Sequence, residues 1–232
     1  MLFLLRNNFV MEKKSPRTRL LEAAMRIIEN QGPSQIKART VALEAGQSTM
    51  GVYTHFGGVP ELLQAIADEG FTQQARLFKS IENTDEPMTN MCLMALECRN
   101  FAMANPHLYD LMFGLSIQGR YTPLRRSEAS ANESTEAFKN SYSYLRQECV
   151  NLIETKYIRD IDPDVMAAQL WSALHGFIML ELGQHFTSCP NPTTEILIPM
   201  CINLIVGLGA EAQIAENAAS KALTIWNSKN IV

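Results

Sequence analysis

Between Ser48 and His55 the chain reads Ser-Thr-Met-Gly-Val-Tyr-Thr-His. Ser48, Thr49 and Thr54 bring hydroxyls, Tyr53 a phenol, His55 an imidazole and Met50 a thioether methyl, while Gly51 has no side chain. Hydroxyls bond to phosphates and base edges, and the methyls of threonine and methionine can meet the methyl of thymine. A glycine permits close approach. Bond-breaking chemistry finds no comparable cluster. The sequence has no Gly-rich phosphate loop, no nucleophile elbow and no HExxH, and nothing marks any of its carboxylate pairs as catalytic. No catalytic residue and no cofactor is therefore expected. His107, His175 and His185 lack the i, i+4 spacing of a metal site, and a structural histidine bonded to backbone is the expected role. The five cysteines are odd in number and form no CxxC pair, so neither a disulfide framework nor a zinc ribbon is expected, and the setting is read as cytoplasmic and reducing.

Helical punctuation positions these groups. Ser15-Pro16 reads as an N-cap with proline at the first helical position, where its missing N–H costs nothing. Leu20, Leu21, Ala24, Ile27 and Ile28 follow at helical spacing until Gly32-Pro33. A second helix is expected over 37–45, burying Val41, Ala42 and Ala45, with Gly46 as its stop. Ser48 caps a third that runs to Phe56 and ends at Gly57-Gly58. Gly46 allows the chain to reverse in a left-handed conformation, so the second and third helices meet steeply. Val52 and Phe56 then dock inward, which turns Met50, Gly51 and Thr54 outward with Tyr53 and His55 on the flanks. A long helix is expected over 60–81, and further helices over 88–105, 107–115, 130–158, 163–187, 193–216 and 217–227, with a loop over 116–130. The chain is read as all-α.

Charge is divided unevenly. Residues 1–60 hold eight basic and four acidic residues, +4, and the remainder holds twelve against twenty, −8. A basic module on an acidic body suits a polyanion at one end. The apolar stretch of the opening MLFLLRNNFV is too short for a secretory signal and is interrupted by Arg6; either translation is expected to start at Met11, or residues 1–14 are expected to be a disordered arm. No later uninterrupted apolar run is long enough to span a bilayer, so no membrane partner is expected.

Residues 15–63 resemble the DNA-binding domain of the TetR family along their whole length. The parts that carry the likeness are LLEAAMRIIENQG, VALEAGQS and VYTHF, followed by a long helix near Pro60. The resemblance implies a helix-turn-helix over 15–62 and an effector-binding and dimerisation domain over 63–232. It implies that Arg39 reads a base, that Tyr53 and His55 touch the phosphate backbone, and that Lys37 makes a phosphate contact. Gln47, Met50-Gly51 and Val59 depart from the family pattern, where an apolar residue, Gly-Thr and lysine are usual. These departures leave the operator sequence open.

NPHLYDLMFG and LWSALHGFIMLELGQHF resemble an effector domain with a Trp-x-x-x-His-Gly signature, here Trp171, His175 and Gly176. That likeness implies a homodimer packed through its last long helices. The effector pocket is expected between helices holding Met91, Met94, Cys98, Phe101, Met112, Phe113, Trp171 and His175, and its apolar lining suits a lipophilic small molecule. The implied function is a repressor released from a palindromic double-stranded operator by such a ligand. Alternatives are an effector-independent DNA-binding protein, for which the second domain would be solid, and an enzyme built on the same fold.

Overall fold

The computed structural model describes residues 14–81, 83–113 and 135–230; the expected N-terminal arm up to residue 13 and the expected loop over 116–130 lie outside them. Among the described residues all regular structure is helical. The chain divides into two compact units after Ile66.

The first unit contains α1 (Pro16–Gln31), α2 (Ala38–Glu44), α3 (Thr49–Phe56) and the start of α4 (Val59–Ser80). Ser15 caps α1, its hydroxyl accepting from the Thr18 N–H at 3.1 Å. The cap of α2, not evident from sequence, comes from within the helix. Lys37 stands at the N-cap with extended backbone, and its N–H donates to the Thr40 hydroxyl at 3.1 Å. After α2 the Gly46 N–H donates to the Leu43 carbonyl and the Gln47 N–H to the Ala42 carbonyl. This paired closure needs a left-handed residue, and Gly46 supplies it at φ +62. Leu20, Val41, Val52, Leu62 and Ile66 are the innermost side chains of this unit, each 0% exposed.

The second unit is built from the rest of α4, α5 (Pro87–Ala104), α6 (Pro106–Phe113), α7 (Glu136–Glu154), α8 (Pro163–Leu182), α9 (Ile198–Gly207) and α10 (Ala212–Asn230). A core of Met88, Cys149, Leu152, Ile158, Met166, Ile205 and Leu208 joins α5, α7, α8 and α9. Arg99 on α5 makes a two-pronged pair with Glu181 on α8, at 2.8 and 2.6 Å. The buried Asn90 side chain bonds to Asn83, Thr84 and Glu148, fixing the approach to α5.

Two expected helices are shorter than their apolar sequence suggests. The one expected over 163–187 stops at Leu182, where Gln184 turns left-handed at φ 60 and the His185 N–H closes on the Leu180 carbonyl. The one expected over 193–216 opens with a wide π turn over Thr193–Leu197, then ends at Gly207. Gly209, at φ +114, reverses the chain there, and a Cβ on it would lie 3.3 Å from the backbone N of Arg159. By length and mean hydropathy, 1.3, α8 is apolar enough to cross a membrane, although no uninterrupted apolar run shows it; 22% of that stretch is buried.

Candidate nucleic-acid interface and effector cavity

On α3 the inward position is Val52, 0% exposed. Met50 and Tyr53 stand 67% and 53% exposed, and Ser48, Thr49, Thr54 and His55 are exposed with them. Lys37 and Arg39, at the start of α2, are exposed too, and neither is held in an ion pair among the described residues. By contrast, Lys14 pairs with Glu22 and Arg26 with Glu44.

Two expectations on α3 are corrected. Phe56 is only partly buried, and the Arg17 guanidinium covers its ring at 4.8 Å. Gly51 does not face outward. A Cβ there would meet the Gln47 Oε1 at 3.4 Å and the Leu20 Cδ1 at 3.6 Å, so its bare side lies against the unit's own interior. Gln47 accounts for its own departure: its Nε2 donates to the Pro16 carbonyl at 2.7 Å, tying the turn to the first turn of α1 by a hydrogen bond.

Inside the second unit lies an apolar cavity of about 90 Å³. It is lined by Met91, Met94, Cys98, Phe113, Trp171 and His175, all expected from sequence. Phe101 and Met112, also expected, are buried but do not reach it: Met112 fills the space over Gly70, where a Cβ would lie 2.5 Å from its sulfur, and Phe101 packs nearly a turn past Cys98. The sequence reading missed a wall of the cavity formed by Phe71, Gln74 and Phe78 on α4 and by Phe138, Ser141 and Tyr142 on α7. Their spacing shows a helical stripe, but nothing local shows what a stripe faces.

Several polar groups of the cavity satisfy one another. Ser141 donates to the Gln74 Oε1 at 2.8 Å, and the Gln74 Nε2 donates to the Cys98 sulfur at 3.4 Å. The Tyr109 hydroxyl, on a fully buried ring, bonds to the His175 Nδ1, so the histidine expected to bond backbone bonds a phenol instead. Burial pushes His175 down to about 4 and the Cys98 and Cys201 thiols up to about 12 and about 11, leaving all three neutral at pH 7. No group of histidine, cysteine and carboxylate residues able to hold a metal occurs among the described residues.

An outward-facing short helix after a glycine turn in one unit, and a hollow helical bundle in the other, coincide with two family models. That for bacterial regulatory proteins of the tetR family matches residues 20–66, and that for the Tetracyclin repressor-like C-terminal domain matches residues 93–200. The chain belongs to the TetR family. Among solved structures, a protein of unknown function from Rhodococcus sp. RHA1 superposes with a TM-score of 0.69 at 22% identity, over 87% of this chain and 99% of that one. RolR without ligand gives 0.64 at 15% identity, over 88% and 96%. The fatty acid degradation regulator FadR from Bacillus halodurans gives 0.62 at 18%, over 86% and 100%. At these identities the likeness is one of fold. No curated protein matches the sequence. As a TetR-family member the chain is a DNA-binding transcriptional regulator, and both matching domains describe a regulator.

Proposed function

We propose that this regulator represses transcription from a palindromic operator and is released by a small, uncharged lipophilic ligand held in the cavity. The observation that carries the DNA side is the division of α3, which keeps Val52 at 0% exposed and leaves Met50 and Tyr53 more than half exposed. Thr49, Met50 and Thr54 meet base edges in the major groove; Ser48, Tyr53, His55 and Lys37 hold the phosphate backbone, and Arg39 reads a base. Gly51 serves helix packing.

Two copies pair through α8 and α9, which places two recognition helices on half-sites about one duplex turn apart. Val165, Met179 and Leu180 on α8 stand 49%, 45% and 47% exposed, an apolar outer face that a second copy covers. The same face is read as protein interface and not as a membrane span, since Gln169, Ser172, His175 and Glu181 interrupt the helix. The protein acts in the cytoplasm.

The ligand can shift the operator-bound population only by its differential affinity for the two states of the dimer. RolR has also been solved in complex with resorcinol, and FadR is named for fatty acid degradation, so the shared fold leaves the ligand open. The hollow second unit favours this reading over an effector-independent binder.

The test is operator binding by the wild type and by Tyr53→Ala and Arg39→Ala, with fragments selected from genomic DNA as the probe. Both variants should stay dimeric; Arg39→Ala should lose affinity about tenfold or more, in line with the ~1–3 kcal/mol of a base contact, and Tyr53→Ala should weaken binding nearly uniformly across sequences, as loss of a phosphate contact does. Wild-type affinity should fall steeply with salt, because phosphate contacts release counterions. Unchanged affinity and specificity in both variants would remove α3 from the interface.

A further inference from the structure

Five rings of the cavity wall pack against one another in series. Phe71 meets Phe113 at 5.5 Å between centroids, Phe113 meets His175 at 4.2 Å, and His175 meets Trp171 at 5.1 Å. Trp171 then meets Phe138 at 5.9 Å, and Phe138 returns to Phe71 at 5.2 Å. Among the described residues, no lysine, arginine, aspartate or glutamate lines the space. We propose that the cavity takes a neutral single-ring aromatic molecule carrying one hydroxyl group, its ring against this aromatic wall and its hydroxyl bonded to His175. The proposal rests on the reading of the cavity as the effector site and narrows it to a chemical class.

Three observations select the class. First, an ionised ligand would lose its hydration in a lining with no counter-charge, which costs several kcal/mol on any scale. Carboxylates, those of fatty acids included, are thereby excluded. Second, the space is small. At about 90 Å³ it falls below the roughly 150 Å³ of an apolar void that accepts benzene, so one ring enters once flexible side chains give way, whereas a long acyl chain would demand a much larger displacement. Met88, Met91, Met94 and Met200 on the wall are the unbranched side chains suited to give way. Aromatic neighbours also favour a ring over an equal area of aliphatic chain, through edge-to-face and offset contacts worth about 0.5–1.5 kcal/mol per pair.

Third, much of the hydrogen-bonding capacity near His175 is already assigned. The Gln74 amide is engaged by Ser141 and Cys98. The Tyr109 hydroxyl occupies the His175 Nδ1, which leaves Nε2 as the atom that His175 can offer a ligand. With the imidazole neutral at pH 7, that bond joins two uncharged partners and matches a phenol, which is itself neutral well past pH 7.

The experiment reads Trp171 fluorescence in a Trp226→Phe background, where Trp171 is the sole indole, with calorimetry on the unaltered chain if that variant does not fold. Four probes are titrated at pH 7.5: 3-methylphenol, toluene, benzoate and decanoate. We expect saturable binding of 3-methylphenol, toluene about fivefold to tenfold weaker for want of one hydrogen bond, and no response to either anion. In the double variant Tyr109→Phe, His175→Phe, which replaces both partners of the buried pair by apolar rings, 3-methylphenol and toluene should bind within about twofold of one another, since the hydrogen bond is gone. Tighter binding of benzoate or decanoate, equal binding of phenol and toluene by the wild type, or no binding by any probe overturns the ligand class. The site is tested separately. Ala95→Leu, or Leu174→Phe should the first fail to fold, puts extra carbons into the lining and should abolish binding. Unchanged 3-methylphenol affinity in such a filled variant places the ligand elsewhere and overturns the effector-cavity reading itself, whatever class the wild type prefers.

Discussion

The two units of the molecule pack helices to opposite ends. In the first, three helices and the start of α4 close a solid centre, with Leu20, Val41, Val52, Leu62 and Ile66 fully buried, and the polar groups of α3 are turned to the outside. In the second, the helices leave about 90 Å³ open, and the groups of interest point inward at one another. Ion pairs divide in the same way. Arg26–Glu44 in the first unit is about half exposed on both sides, whereas Arg99–Glu181 in the second has side chains only 19% and 7% exposed. An outward site can thus be altered at little cost to its unit, while an inward site shares its residues with the packing.

Removing one partner from each pair would break this comparison most directly. Arg99→Ala leaves the Glu181 carboxylate buried and unpaired and should cost about 3–5 kcal/mol. Arg26→Ala removes an exposed pair and should cost no more than about 1 kcal/mol. Urea denaturation of both variants is the measurement. Similar losses would mean that the second unit hydrates Glu181 in a way its burial does not suggest.

Core truncation gives the next effect. Leu20→Ala opens a hole where α1, α2 and α3 have no slack and belongs high in the range of about 2–5 kcal/mol for such changes. Met94→Ala enlarges space that already exists and should fall near the low end, about 2 kcal/mol. Amide hydrogen exchange, read separately over residues 16–66 and 87–104, distinguishes the two losses. Reversed magnitudes would remove the contrast between a solid unit and a hollow one.

The same contrast governs what could be read from the sequence. The ends of α1, α2 and α3 were legible because Ser15-Pro16, Gly32, Gly46 and Gly57 act on the residues next to them. The outward set on α3 followed from one inward anchor, Val52. Gly51 did not, because whether a bare Cα faces solvent or Leu20 depends on the helix across from it. In the second unit Phe113, Trp171 and His175 lie in the two quoted motifs, and Met91, Met94 and Cys98 on α5 could be grouped with them, but the α4 and α7 walls of the cavity could not. Phe101 and Met112 carry the same apolar character as their neighbours and point elsewhere. The run ILIPMCINLIVGLGA reads as continuous helix, yet Gly209 sits under the Arg159 backbone and ends it, a contact between residues fifty apart in sequence.

Acid should act on the inward site. An imidazole in an unfolded chain titrates near 6.5, and burial brings His175 down to about 4. Between those values the unfolded chain binds a proton that the folded one refuses. The stability from keeping His175 neutral is therefore complete above pH 6.5 and drains away as the pH falls toward 4, by up to about 3 kcal/mol at 1.36 kcal/mol per pH unit. Denaturation of the wild type and of the Tyr109→Phe, His175→Phe variant at pH 7, 5.5 and 4.5 measures it. The slope over this window should be markedly smaller in the variant. Equal slopes would show that His175 already meets water or a counter-charge in the fold.

The smallest change tests the outward site from its packed side. Gly51→Ala adds a Cβ 3.4 Å from the Gln47 Oε1 and 3.6 Å from the Leu20 Cδ1, ordinary contacts that require no movement of backbone. Alanine also relieves the conformational entropy that a glycine within a helix forfeits, so the unit should gain about 0.5–1 kcal/mol. Because the added methyl lies against α1 and the turn, away from Met50, Tyr53 and Thr54, operator affinity should stay within about threefold, under ~0.7 kcal/mol on the thermal scale. Thermal denaturation and operator titration of the same preparation read both quantities. A more stable protein with operator binding abolished would mean that Gly51 faces the duplex after all, and that the division of α3 into a packed side and a reading side is drawn one position out of register.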